Sequence, residues 1–124
     1  MKEKGTRAER ELLHKFFDNG WICVRAAGSG SIPLPCPDLL AGKGGRSLAI
    51  ECKSTKKSKK YLTKKEVEDL VLFSEMFGAE AIVGLRVDRG GWKFFDIKDL
   101  FFTGKFYVAD SKKGIKFEEL IGLQ

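Results

Sequence analysis

Apolar positions along the first part of the chain recur at helical spacing. From Thr6 to Asn19, Leu12, Leu13, Phe16 and Phe17 fall on one stripe, and Gly20 supplies a stop. Thr6-Arg7-Ala8-Glu9 has capping-box spacing, so the helix is expected to begin at Thr6. Glu9 lies three and four residues before Leu12 and Leu13 and leans toward the body of the protein, whereas Glu11 and Asp18 are placed to face water. Trp21 to Ala27 reads as a strand, and Gly28-Ser29-Gly30-Ser31 as a flexible turn. Prolines at 33, 35 and 37 then exclude a helix and disfavour a sheet interior.

Two short apolar runs follow, Asp38-Leu39-Leu40-Ala41 and Arg46-Ser47-Leu48-Ala49-Ile50-Glu51-Cys52-Lys53, around Gly42-Lys43-Gly44-Gly45. This pattern predicts a β-hairpin. If Ala41 faces Arg46 across a four-residue loop, Asp38 lies opposite Ala49, one diagonal step from Glu51. Strand side chains alternate, so Asp38, Glu51 and Lys53 share one face, while Leu39, Leu48, Ile50 and Cys52 point into a core.

Ser54 to Tyr61 is polar and lysine-rich and is expected to form a mobile loop. Thr63-Lys64-Lys65-Glu66 repeats the capping-box spacing and opens a second helix, with Val67, Leu70, Val71, Ser74 and Phe77 on one face and Gly78 at its end. Leu62 is placed to staple against Val67. Ala79 to Val87 reads as a buried strand, turned by Asp88-Arg89-Gly90-Gly91 into Trp92 to Phe95. A turn at Asp96 to Leu100, a strand around Phe106 to Ala109 and a closing segment at Phe117 to Ile121 complete the chain. The order α-β-β-β-α-β-β predicts an α/β fold, a mixed sheet with helices packed on it, as one domain over residues 1–124.

Composition narrows the function. A hydrophobic fraction of 43% suits a folded domain, and no run approaches the length of a membrane-spanning helix. The N-terminal residues lack the apolar segment of a signal peptide. Cys23, Cys36 and Cys52 are an odd set without metal-ligand spacing, which predicts free thiols and a reducing cytoplasmic location. A single histidine, His14, argues against a histidine-rich zinc site and against a Ser-His-Asp triad. The net charge of +6 is a weak pointer to a polyanion, but its distribution says more: seven lysines and no acid lie between Lys53 and Lys65. Lys56, Lys57, Lys59 and Lys60 are candidates to compensate DNA phosphates in a salt-sensitive way.

Two strand carboxylates on one face can hold Mg²⁺ or Mn²⁺ through oxygen ligands, and a neighbouring lysine can offset charge on a phosphoryl group. Phosphodiester hydrolysis needs those parts. The bland alternative is a surface ion pair between Glu51 and Lys53 beside an unrelated Asp38, a common arrangement worth little. Glu9 has two available roles, capping its helix or joining Asp38 and Glu51 as a third carboxylate. Arg10 and Arg25 suit phosphate contacts through their rigid forks or serve as solvated charges, and Arg25 interrupts an apolar strand. Ser29 between two glycines can bind phosphate or simply mark a turn.

Together these residues resemble the archaeal Holliday junction resolvases. The matching segments are Lys4-Gly5, Ala8-Glu9-Arg10-Glu11-Leu12, Val24-Arg25, Ala27-Gly28-Ser29, Pro37-Asp38-Leu39, Ile50-Glu51-Cys52-Lys53, Phe73-Ser74, Phe77-Gly78 and Gly91-Trp92. They cover nearly the whole chain. The Asp/Glu-x-Lys element is shared by many nucleases and gains specificity from the segments around Glu9-Arg10 and Arg25 to Ser29. The resemblance implies a restriction-endonuclease-like core and a Mg²⁺-dependent homodimer that places paired nicks in opposing strands of a four-way DNA junction. It implies Glu9, Asp38 and Glu51 as the acidic metal site and Lys53 as the lysine of the motif. Arg10, Arg25 and Ser29 would then contact or position the scissile backbone. The stretch from Gly30 to Cys36 departs from the family in being longer and richer in proline.

Paired cuts require two sites in fixed relation, which a two-fold dimer supplies. Phe73, Met76, Phe77, Phe94, Phe95, Phe101 and Phe102 are many large apolar side chains for so small a core, and those left outside it are expected to form a shared patch. Two other functions use the same residues: a metal-dependent nuclease with another structured or duplex target, and a non-catalytic basic DNA-binding module.

Overall fold

The computed structural model describes residues 2–26 and 33–122. Ser29 and the Gly30 to Ile32 part of the proline-rich stretch lie outside the described residues. Helix α1 (Lys2–Asp18) leads into β1 (Ile22–Arg25), β2 (Leu39–Lys43), β3 (Arg46–Thr55) and β4 (Lys59–Thr63). Helix α2 (Lys64–Phe77), β5 (Glu80–Val87), β6 (Gly91–Asp96), β7 (Phe101–Phe102), β8 (Phe106–Asp110) and α3 (Phe117–Leu120) follow. Two 3₁₀ turns, Ile97–Asp99 and Ser111–Lys113, flank β7 and β8.

The main sheet has the order β1-β2-β3-β5-β6. All its neighbours are antiparallel except β3 and β5, which run parallel because α2 carries the chain back between them. Two apolar layers cover it. On one face Leu12 and Phe16 of α1 pack with Leu39, Leu48, Ile50, Phe94 and Phe117. On the other, Val67 and Leu70 of α2 pack with Ala49, Val83, Leu85 and Phe95. Gly84 is pressed between these strands' neighbours: a Cβ there would come within 3.2–3.3 Å of Phe94, Ile50 and Trp92 side chains.

Three local expectations are corrected. Helix α1 starts at Lys2, so Thr6 and Glu9 lie within it and form no cap. The hairpin loop has two residues, not four. Gly44 and Gly45 take φ of 50° and 88°, the left-handed pair that a tight hairpin turn requires, and Lys43 pairs with Arg46. Finally, the lysine-rich stretch is not a loop throughout. β3 runs on to Thr55, and Lys59 to Thr63 form β4, the edge of a second sheet ordered β4-β8-β7. The second capping box is formed as expected: the Thr63 hydroxyl accepts the Glu66 amide at 3.1 Å, and a Glu66 carboxylate oxygen accepts the Thr63 amide at 2.8 Å.

Candidate active site

The shorter hairpin loop moves the register by two residues and brings the acids closer. Leu39 pairs with Ile50, and the Asp38 amide donates to the Ile50 carbonyl at 3.0 Å, so Asp38 is held at the end of the β2–β3 ladder, close enough to Glu51 for its charge to act on that carboxyl. A two-residue shift preserves which face each side chain takes, so Asp38, Glu51 and Lys53 emerge together as expected. The Asp38 carbonyl also accepts the Ala26 amide at 2.9 Å, so its backbone is held from both neighbouring strands. Its Oδ2 accepts the Cys52 amide at 2.8 Å. Pro37, almost fully buried, fixes the chain just before it.

This environment is hard on negative charge. Burial pushes the Glu51 carboxyl up to about 8, and the Asp38 charge adds to the rise, with Lys53 only partly offsetting it. Asp38 is also raised, chiefly by burial, although the Cys52 amide and nearby cations work against the shift. Cys52 points inward and stays a free thiol, its pKa well above the ordinary range because it is buried beside these acids. Cys23 is a free core thiol, pushed up to about 11 by burial, and Cys36 is also free.

Lys53 is held by two carboxylates. Its Nζ bonds Glu66 of the α2 first turn and lies 3.9 Å from Glu51 Oε2. Burial disfavours the ammonium, but the bond to Glu66 and the charges of Glu66, Glu51 and Asp38 outweigh it and hold the pKa above its ordinary value. A cleft of about 310 Å³ opens beside them, lined by Pro33, Leu34, Cys36, Glu51, Glu66 and Asp69 among others.

Glu9 projects from α1 toward β1. It accepts from Arg25 Nε at 2.7 Å, while Arg25 also reaches the Thr6 hydroxyl at 3.3 Å. Among the described residues no group of three or more His, Cys, Asp or Glu is arranged to hold a metal ion. Glu9 is tied to Arg25 and is near enough to Asp38 and Glu51 to raise both their pKa values by its charge. Arg10 is exposed on the same helix. Glu11, expected to face water, is partly exposed but accepts both Arg86 Nε at 2.8 Å and Trp92 Nε1 at 2.6 Å, pinning α1 to β5 and β6.

The lysine block is split by β4. Lys56, Lys57 and Lys59 are exposed, whereas Lys60 is half-buried on the opposite side of the strand from Lys59. Of the apolar surplus, Phe94 and Phe95 fill the core, but Met76 is 82% and Phe77 56% exposed. Phe73 stacks on Phe77 with ring centroids 5.3 Å apart, and Leu72, Phe101 and Phe102 are also exposed. Sequence reasoning missed the second role of Glu66; its capping-box position was legible, but its reach to Lys53 depends on how α2 docks.

Comparison with known proteins decides the family. Residues 1–124 match the family described as archaeal Holliday junction resolvase (hjc). The chain belongs to that family. This resolvase-family chain is 45% identical over 125 residues to the crossover junction endodeoxyribonuclease Hjc of Archaeoglobus fulgidus, covering 98% of this chain and 92% of that one. It is 36% identical over 122 residues to its namesake from Methanocaldococcus jannaschii, covering 96% and 87% of the two chains. The solved structure of Archaeoglobus fulgidus Hjc, a Holliday junction resolvase, superposes with a TM-score of 0.89 at 42% identity, covering 94% of this chain and 98% of that one. The restriction-endonuclease-like core expected of the resolvase family is therefore the fold of this chain. No helix among the described residues is long and apolar enough to cross a membrane.

Proposed function

We propose that this chain is a structure-selective endonuclease that resolves four-way DNA junctions by paired, metal-dependent hydrolysis of phosphodiesters in opposing strands. The observation that carries this reading is Asp38 close beside Glu51, with Lys53 next to them, in a member of the archaeal Holliday junction resolvase family.

The donor set fits a hard cation. Mg²⁺ is commonly held by one or two carboxylates together with water and substrate phosphate, so Asp38 and Glu51 suffice, with Mn²⁺ as substitute. The raised pKa of Glu51 supports this, since a cation relieves the repulsion and burial that now favour its neutral form. Bound there, the ion would neutralise charge on a nonbridging phosphate oxygen and ease the formation of hydroxide from water. Lys53 holds a fixed positive charge at the same end of β3 and stabilises the phosphoryl oxygens as charge builds. Arg25, oriented by Glu9, and exposed Arg10 anchor the flanking backbone, together with Ser29. Lys56, Lys57 and Lys59 add sequence-independent affinity. The exposed Phe73–Phe77 surface of α2 supports a homodimer, which gives two centres for two symmetric cuts.

Mapping cleavage on a fixed four-way junction with Mg²⁺ tests the proposal. Paired nicks at symmetric positions, lost in Asp38→Asn, support it. Equal cutting of linear duplex would instead identify a nuclease of another target, and no cutting with Mg²⁺ or Mn²⁺ would identify a DNA-binding module.

A further inference from the structure

Lys53 stands between carboxylates that make competing demands on it. Glu66 bonds it directly, and Glu51 lies 3.9 Å away. Both line one cleft, where Asp69 is engaged by Lys65 at 2.9 Å. The two acids differ in how they are held. One oxygen of Glu66 is fixed in the α2 capping box, accepting the Thr63 amide at 2.8 Å and its hydroxyl at 3.3 Å. That anchor keeps the carboxylate from swinging away and presents the second oxygen to Lys53. With Glu66 absent, the strongest remaining attraction on the ammonium is toward Glu51 and Asp38. An ammonium settled there would take up the negative charge, and the space, that a divalent cation needs.

We propose that Glu66 is a positioning residue for strand cleavage: it draws the Lys53 ammonium to the first turn of α2 and leaves Asp38 and Glu51 to the cation. This inference rests on the reading of Asp38, Glu51 and Lys53 as the cleavage centre. It also gives one side chain two tasks, since the oxygen that caps α2 and the oxygen that holds the lysine belong to the same carboxylate.

The test measures Mn²⁺ binding to the DNA-free protein by calorimetry, alongside single-turnover cleavage of a four-way junction. Glu66→Gln keeps the capping pattern but loses the charge that holds Lys53. It is expected to weaken Mn²⁺ binding about fivefold and slow cleavage about tenfold, with junction affinity in the absence of divalent ions unchanged. In a Lys53→Met background, Glu66→Gln is expected to leave Mn²⁺ binding within about twofold, because no ammonium remains to compete. Equal weakening in both backgrounds would mean that Glu66 acts only through its own charge and would overturn the proposal. So would parental behaviour of Glu66→Gln with impairment confined to Glu66→Ala, which also loses the cap. A parent protein that neither binds Mn²⁺ nor cuts would remove the underlying reading as well.

Discussion

Asp38 stands beside Glu51 at the end of the β2–β3 ladder, with the Cys52 amide donating to Asp38 Oδ2 at 2.8 Å. Asp38→Asn keeps the size of the side chain and leaves an oxygen to accept from Cys52, but removes the charge. Junction cleavage is expected to fall on the order of a thousandfold, while gel-shift affinity for the junction without divalent ions stays within about twofold. Retained cleavage would remove Asp38 from the chemistry.

The Glu51 carboxyl gives the site a pH signature. Its folded pKa of about 8 exceeds its ordinary value of 4.5, so between those limits the folded state keeps a proton that the unfolded state releases. Without metal, this costs stability progressively as pH rises, and the cost is complete above about 8. Glu51→Gln should match the parent near pH 4 and be more stable by about 1–3 kcal/mol at pH 9, as read by denaturant melts. If Glu51 holds Mg²⁺ in the parent, the ion takes the place of the proton, and apparent Mg²⁺ affinity should rise about tenfold per pH unit below 8 and then level off. A flat profile would show that Glu51 is already ionised without metal.

Much of this centre is legible in the chain because strand alternation depends on local sequence alone. Asp38, Glu51 and Lys53 were bound to share a face whichever even register the hairpin adopted. The exact register is not legible, because Gly42 reads as a loop residue, whereas Gly44 and Gly45 adopt the left-handed backbone that closes the turn. β4 was hidden by its lysines; its pairing partner β8 lies far along the chain, and only Tyr61 and Leu62 hint at a strand. Glu9 and Glu66 show the same limit. Both occupy capping-box positions, yet only the Thr63–Glu66 box forms, and the partners Arg25 and Lys53 come from other elements, 16 and 13 residues away.

The bond between Glu9 and Arg25 predicts coupled behaviour. If Glu9 serves by orienting Arg25, Glu9→Gln and Arg25→Met should each slow cleavage at least about tenfold, and the double variant should be little worse than either. Mn²⁺ binding to the DNA-free protein should be unchanged in Glu9→Gln. Additive losses, or weakened Mn²⁺ binding, would return Glu9 to the metal.

The split of the lysine block by β4 separates lysines that composition treats alike. Lys56→Gln with Lys57→Gln should weaken junction binding several-fold and lower the slope of log affinity against log salt by about two. Lys60→Gln should change that slope far less, because its side chain lies half-buried on the other side of β4 from Lys59. Cleavage per bound complex should persist in all of these variants. Equal slopes would place the lysine turn away from the DNA.

Assembly is tested at the exposed face of α2. Met76 and Phe77 are 82% and 56% exposed, and Phe77 stacks on Phe73 near the helix end. Apolar side chains of this size left in water at adjacent positions favour a covered state. Because they lie outside the core, Met76→Glu and Phe77→Glu can be introduced without opening a cavity. If this face joins two copies, the parent should scatter light as twice 13.9 kDa at micromolar concentration and the double variant as a single chain. Two symmetric cuts would depend on that pairing, since one centre can hydrolyse only one strand at a time. The variant should therefore bind the junction more weakly and release singly nicked products, with melting temperature measured to confirm that each chain stays folded. A variant that remains dimeric would move the interface elsewhere. A parent that is monomeric would leave paired cutting without the fixed geometry it needs.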